Sequence, residues 1–156
     1  MTDFDRRAVL GGLLAALFAS TAVADAHPEM TVHKDPNCGC CGAWVEHVRA
    51  AGFHVRVIET AAMDAVKKRL GVPDALASCH TAEIGRYVIE GHVPATEIAR
   101  LLEERPVARG LAVPGMPTNS PGMEVRGAAS DVYDVMQFAV DGSMRKFATY
   151  KGPSRM

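Results

Sequence analysis

Three of the chain's four cysteines, Cys38, Cys40 and Cys41, fall within four positions. Disulfides stabilise a fold by closing long loops, and sulfurs packed this closely close none. The cluster therefore reads as a metal site or a redox site, although a disulfide framework is the default for an exported chain. Cys38 and Cys41 make a C-x-x-C pair, with an extra thiol at Cys40. Gly39 and Gly42 let the backbone turn tightly enough for the sulfurs to converge. The flanking residues fix where this motif sits. Residues 30–34, Met-Thr-Val-His-Lys, alternate and end at the turn cluster Asp35-Pro36-Asn37, which predicts a short strand followed by a loop. Ala43 to Ala51 carries Ala43, Trp44, Val48 and Ala51 at helical spacing and stops at Gly52, a C-terminal cap. The cysteines thus open a helix directly after a strand. Free N–H groups and the positive end of the helix dipole favour thiolate there. Thiolate both binds soft metals and attacks disulfides, so the motif alone leaves both roles open. In the redox role Cys38 is the catalytic nucleophile and Cys41 the resolving thiol.

Beyond the motif the pattern alternates. Phe53 to Ile58 reads as a strand, and Ala61 to Leu70 as a helix closed by Gly71. Residues 81–90 hold a β-rich stretch around Tyr87-Val88-Ile89, which reads as a strand or a hairpin. Pro94 to Glu104 reads as a helix with Ile98, Leu101 and Leu102 inward and Pro106 after its end. Residues 106–123, rich in Pro and Gly, read as a long ordered loop. Apolar runs containing Phe138 and Phe147 then flank Asp141-Gly142, a hairpin signal. Such alternation implies an α/β sheet with at least one parallel βαβ unit. A cysteine motif between the first strand and the first helix is the layout of thioredoxin-like folds. The expected fold is a thioredoxin-like three-layer sheet with flanking helices, plus a C-terminal β-hairpin and a Pro/Gly/Met loop.

The first 26 residues are set apart from this domain. Arg6-Arg7 precede an uncharged apolar run from Ala8 to Ala24, and Ala24-Asp25-Ala26 fits a small-residue cleavage site, as in a bacterial signal peptide. The run is short for a bilayer span, which favours cleavage over anchoring. Arg6-Arg7 with Val9-Leu10 points to twin-arginine export, with general secretion as the alternative. Residues 27–156 then form one domain in the periplasm. Removing residues 1–26 removes Asp3, Asp5, Asp25, Arg6 and Arg7 and leaves 15 acidic and 15 basic residues, a formally neutral domain. It has no basic stripe, so nucleic acid is not expected as a partner, and neither is a membrane once the signal is removed.

Two further segments carry candidate ligands. Cys79-His80 lies just before the third predicted strand, the place a cis-proline occupies in thioredoxin-like topology. A thiol and an imidazole there would face the cysteine motif and complete one site, with neither residue assigned to the hydrophobic core. The loop from Pro114 to Met123 presents Met116 and Met123 among Pro and Gly, as thioether ligands or as an apolar lid. Thiolates, thioethers and one imidazole favour Cu(I) over zinc or an iron–sulfur cluster. A chain starting at His27 could chelate Cu(II) weakly, with a disordered terminus as the plainer reading. His47 could share a helix face with Cys40 but reads as a surface residue. His33, His54 and His92 are expected to face solvent.

Four separated segments, in order, resemble the CopG-type copper-resistance proteins of Gram-negative periplasms. They are Lys34-Asp35-Pro36-Asn37-Cys38-Gly39-Cys40-Cys41-Gly42-Ala43-Trp44, Ser78-Cys79-His80-Thr81, Tyr87-Val88-Ile89-Glu90-Gly91-His92-Val93-Pro94, and Gly110 to Pro117 with Ser120 to Glu124. The resemblance covers about residues 30–150. It implies a thioredoxin-like fold and a copper site, with a multinuclear, thiolate-bridged cluster among its forms. It also implies a role in copper tolerance, by sequestering Cu(I) or by interconverting Cu(I) and Cu(II). By matching, Cys38, Cys40, Cys41, Cys79 and His80 inherit the metal-site role, and Met116 and Met123 less directly. The implied partners are copper ions and a copper efflux or copper-resistance protein. A thiol–disulfide oxidoreductase and a copper chaperone remain the alternatives.

Overall fold

The computed structural model describes residues 27–156; the expected signal peptide lies outside the described residues. The chain runs β1 (Met30–Lys34), α1 (Gly39–Ala50), β2 (Val55–Glu59), α2 (Met63–Leu70), a 3-10 turn (Asp74–Leu76), β3 (His80–Ile84), β4 (Tyr87–Glu90), α3 (Ala95–Glu104), β5 (Gly110–Ala112), β6 (Val132–Phe138), β7 (Met144–Lys151) and β8 (Ser154–Arg155). All eight strands join one mixed sheet, in the order β2-β1-β3-β4-β5-β6-β7-β8. The β1–β2 and β4–β5 pairs are parallel, and the other neighbours are antiparallel. Helices α1 and α3 make the two parallel crossovers.

Two apolar clusters show how the helices cover this sheet. Trp44, Val45 and Val48 of α1 and Ile98 and Leu101 of α3 pack with Met30, Val32, Ile84, Ile89 and Leu111. Leu70, at the end of α2, packs with Val72, Leu76, Val88, Ala112 and Phe138. Ile89 and Val88 fall in different clusters, as the period of two along a strand requires. Strand β4 is buried along its whole length, as suits a strand covered on both faces. Among the described residues no helix is long and apolar enough to cross a membrane.

The structure sharpens or departs from the sequence pattern at three places. Helix α1 begins at Gly39, with Cys38 as its N-cap, and its buried positions are Cys41, Trp44, Val45 and Val48. Ala43 and Ala51 are exposed, so Cys41 belongs to the inward stripe and Ala43 does not. The stretch 81–90 divides into an antiparallel hairpin, with Ile84 paired to Tyr87 around Gly85-Arg86. The expected loop over 106–123 contains β5, which is too short to show an alternation. Gly110 is required there, because a Cβ would strike the Val88 carbonyl. The expected hairpin at Asp141-Gly142 is present between β6 and β7.

Candidate metal centre

The turn after β1 delivers the cysteines. Asp35 accepts from the Asn37 N–H through Oδ1 at 2.8 Å and from the Cys38 N–H through its carbonyl at 3.1 Å. This closes the chain tightly before α1. No side chain caps α1 and no acidic residue stands in its first turn, so the positive end of that helix is left to the sulfurs. Lys34 pairs with His80 across β1 and β3. The residues just after Lys34 are thereby brought beside the residue just before His80, which is Cys79.

The side chains meet as this register requires. Cys38 and Cys41 are joined as a disulfide, and Cys40 and Cys79 are free. Cys40 Sγ lies 3.5 Å from Cys38 Sγ and 3.8 Å from Cys79 Sγ. The four sulfurs lie within 4.8 Å of one another, and so do single ligand atoms of Cys79, His80 and His92. Cys79 belongs to both groups: its Sγ stands 3.2 Å from His80 Nδ1 and 3.2 Å from His92 Nε2.

His92 corrects the expectation that it faces solvent. It is fully buried. Its Nδ1 lies 2.8 Å from the Pro121 carbonyl, an acceptor only, so Nδ1 carries the proton and Nε2 presents its lone pair to Cys79. Continuing the β3–β4 register two residues beyond Thr81↔Glu90 sets His92 opposite Cys79. His33 is also buried and bonds Glu83 at 2.9 Å. His54 is exposed, as expected. His47 is half-buried and accepts the Ala95 N–H at 3.1 Å, tying α1 to the start of α3. His27 stacks on Phe53 with ring centroids 4.4 Å apart.

His80 is likewise part of the interior and not a peripheral residue. Its ring lies 4.4 Å from that of Trp44 and 5.0 Å from that of His92. Burial first, then the neighbouring His92 and Lys67, pushes its pKa down to about 3. Burial also lowers His92. Both imidazoles are therefore neutral at physiological pH, the state in which a ring nitrogen can ligate a metal. His80 Nε2 has no hydrogen-bond partner. Burial and the adjacent Cys40 push the Cys79 thiol up to about 12, so Cys79 is a thiol at physiological pH.

A buried ionic network holds the Cys79 segment. Glu90 is fully buried. It accepts the Ser78 N–H and the Thr81 hydroxyl, each at 2.6 Å, and pairs with Lys67 Nζ. A buried carboxylate needs such partners, and here one partner is the peptide N–H directly before Cys79. Two glycines permit the close approach of the other walls. A Cβ on Gly91 would lie 2.5 Å from Ser78 Cβ, and one on Gly122 would lie 2.6 Å from Trp44 N and 3.0 Å from the Cys40 carbonyl. The Pro121-Gly122 segment is thus laid against the first turns of α1, and it carries the carbonyl that orients His92. Met123 is half-buried immediately after it. Met116 is 54% exposed and borders a depression with Pro114, Pro117, Asp131, Tyr133 and Met136.

Once the Cys38–Cys41 disulfide is reduced, four thiols and two neutral imidazoles make a soft donor set that fits copper. Residues 76–123 match a family model described as a protein of unknown function, DUF411. No curated protein matches the chain. Two solved structures are similar to it, described as copper resistance protein CopG, form 1 and form 2. The first is 46% identical with a TM-score of 0.75, covering 81% of this chain and 99% of its own. The second is 47% identical with a TM-score of 0.75, covering 79% and 98%. With almost the full length of those structures matched at that identity, and a Cys/His cluster formed by the residues that carried the resemblance, the chain belongs to the CopG family of copper resistance proteins.

Proposed function

We propose that this protein is a periplasmic copper-binding protein of copper resistance, which holds Cu(I) or cycles it with Cu(II) at Cys38, Cys40, Cys41, Cys79 and His80, with His92 as an added ligand. One observation carries the reading: Cys79 is shared by a four-sulfur group and a thiol–imidazole group, each within 4.8 Å. Two overlapping groups supply more donors than one ion takes, which supports a multinuclear site bridged through Cys79. The order β2-β1-β3-β4, with β1 and β2 parallel and the motif opening α1, supports a thioredoxin-like description of that half of the sheet. Export of the domain by residues 1–26, on the twin-arginine or the general route, belongs to the same proposal, as does delivery to an efflux partner.

Anaerobic titration of reduced protein tests the reading. Cu(I) should bind stoichiometrically and resist displacement by Zn(II); displacement by zinc would overturn it. Met116 and Met123 are proposed as outer thioether ligands. Replacing both with Leu should lower Cu(I) affinity and leave stability nearly unchanged, whereas unchanged affinity makes them a lid.

A second reading is favoured by the Cys38–Cys41 disulfide: thiol–disulfide exchange with Cys38 as nucleophile and Cys41 as resolving thiol. Reduction of insulin by metal-free protein separates the two readings. Activity at thioredoxin-like rates would favour the oxidoreductase.

A further inference from the structure

With Cys38 and Cys41 joined, Cys40 and Cys79 are the two remaining thiols. They come from distant parts of the chain, the first turn of α1 and the segment before β3. Their sulfurs are nevertheless 3.8 Å apart. A disulfide needs about 2.05 Å, so side-chain rotation has less than 2 Å to close. Both residues are half-buried, which leaves a small oxidant a way in. Cys40 is also 3.5 Å from Cys38 Sγ, but exchange with that bonded sulfur only moves the disulfide within the motif and oxidises nothing, so Cys79 is the partner for a second disulfide.

We propose that Cys40 and Cys79 close a second disulfide when the site is metal-free and oxidising, so that the four thiols act as a four-electron store. The oxidant is a low-molecular-weight disulfide. The Cys40 thiolate attacks one of its sulfurs and expels the first small thiolate, leaving a mixed disulfide on Cys40. Cys79 then attacks the Cys40 sulfur, the mixed S–S bond breaks, and the second small thiolate leaves. The protons of Cys40 and Cys79 end on the two released thiols. Two protein thiols and one small disulfide thus give one protein disulfide and two small thiols. The consequence for metal rests on the copper reading above: oxidation removes every thiolate ligand, leaving His80, His92 and the outer thioethers, and reduction restores the thiolate site. Oxidised protein would release copper that reduced protein retains.

The test uses metal-free full chain, reduced and then exposed to glutathione disulfide, with free thiols trapped by N-ethylmaleimide and located by mass spectrometry. Reduced protein should take four labels. Oxidised protein should take none and remain monomeric. In the Cys38→Ser, Cys41→Ser variant, oxidation should yield an intramolecular link between the Cys40 and Cys79 peptides. In Cys79→Ser, Cys40 should keep its label or carry glutathione. Two labels persisting on oxidised wild type at Cys40 and Cys79 would overturn the proposal. So would covalent dimers or stable glutathione adducts in the double variant. No metal enters this assay, so its failure is distinct from failure to bind Cu(I).

Discussion

Acid should loosen this fold through His80. The ring is fully buried against Trp44 and His92, and its pKa is pushed down to about 3 by burial, His92 and Lys67. In the unfolded chain a histidine titrates near its ordinary value of about 6.5. Between these two values the unfolded state binds the proton and the folded state refuses it. Stability is therefore full above about pH 6.5, falls as the pH drops through the window from about 6.5 to about 3, and levels off below it. At about pH 4 the unfolded chain gains a factor of roughly 300 from this proton, or about 3 kcal/mol. Urea unfolding of metal-free protein, followed by the single tryptophan, Trp44, reads this directly. His47 and His92 are also lowered by burial and add to the same slope, so the comparison is with His80→Gln. That variant starts less stable, but wild type should lose about 3 kcal/mol more than it between pH 7 and pH 4. Parallel pH curves for the two proteins would refute the argument.

Three other outcomes follow from the geometry. Glu90→Ala strands Lys67 and leaves the Ser78 N–H and Thr81 hydroxyl without their acceptor; it should cost about 3–5 kcal/mol, and a loss under about 1 kcal/mol would show that the network holds nothing. Gly122→Ala places a Cβ 2.6 Å from Trp44 N at a φ of +83°; the loop should lift, costing about 1–3 kcal/mol, with a changed Trp44 emission, and an unshifted spectrum at wild-type stability would contradict the contact. Cu(I) affinity should rise at least tenfold per pH unit between about pH 6 and 8, because the Cys79 thiol, pushed up to about 12, must release its proton on binding; a flat profile in a competition titration would exclude Cys79 as a thiolate ligand.

The cysteine cluster was legible because strand, turn and helix signals all fall within twenty residues of it. Met30–Lys34 appears as a strand with the expected bounds, and α1 starts where the motif opens it. His92 was not legible in the same way. It follows the fully buried strand β4, so no alternation marks which side it faces, and a histidine in a Gly-His-Val-Pro segment reads as a loop residue. The Gly85-Arg86 turn decides between a strand and a hairpin there. Once Ile84 pairs with Tyr87, the register alone sets residue 92 opposite residue 79. The burial of His80 is hidden in the sequence for a related reason. A polar residue at the start of a strand suggests a rim, yet here Trp44 of α1 covers the ring. Strand β5 escaped because Gly110–Ala112 offers three residues and no periodicity.

Side chains proposed as ligands also belong to the core, and on that reading copper binding is tied to folding. Trp44 and His80 pack ring on ring. Trp44 Nε1 donates to the Val93 carbonyl at 2.9 Å, one residue beyond His92, whose other nitrogen is held by Pro121. The proposed cysteine and histidine donors come from the start of α1, the lead into β3 and the end of β4, with the 114–123 loop orienting His92 through Pro121; the mutual positions of these segments are fixed by apolar packing and by the Glu90 network. A site assembled this way is preorganised, so little of the binding energy is spent on ordering the ligands. The converse also holds. A metal that binds only the folded arrangement stabilises it in proportion to the logarithm of its concentration over Kd. Copper loading should therefore oppose the acid-induced loosening at His80, and removal of copper should expose it.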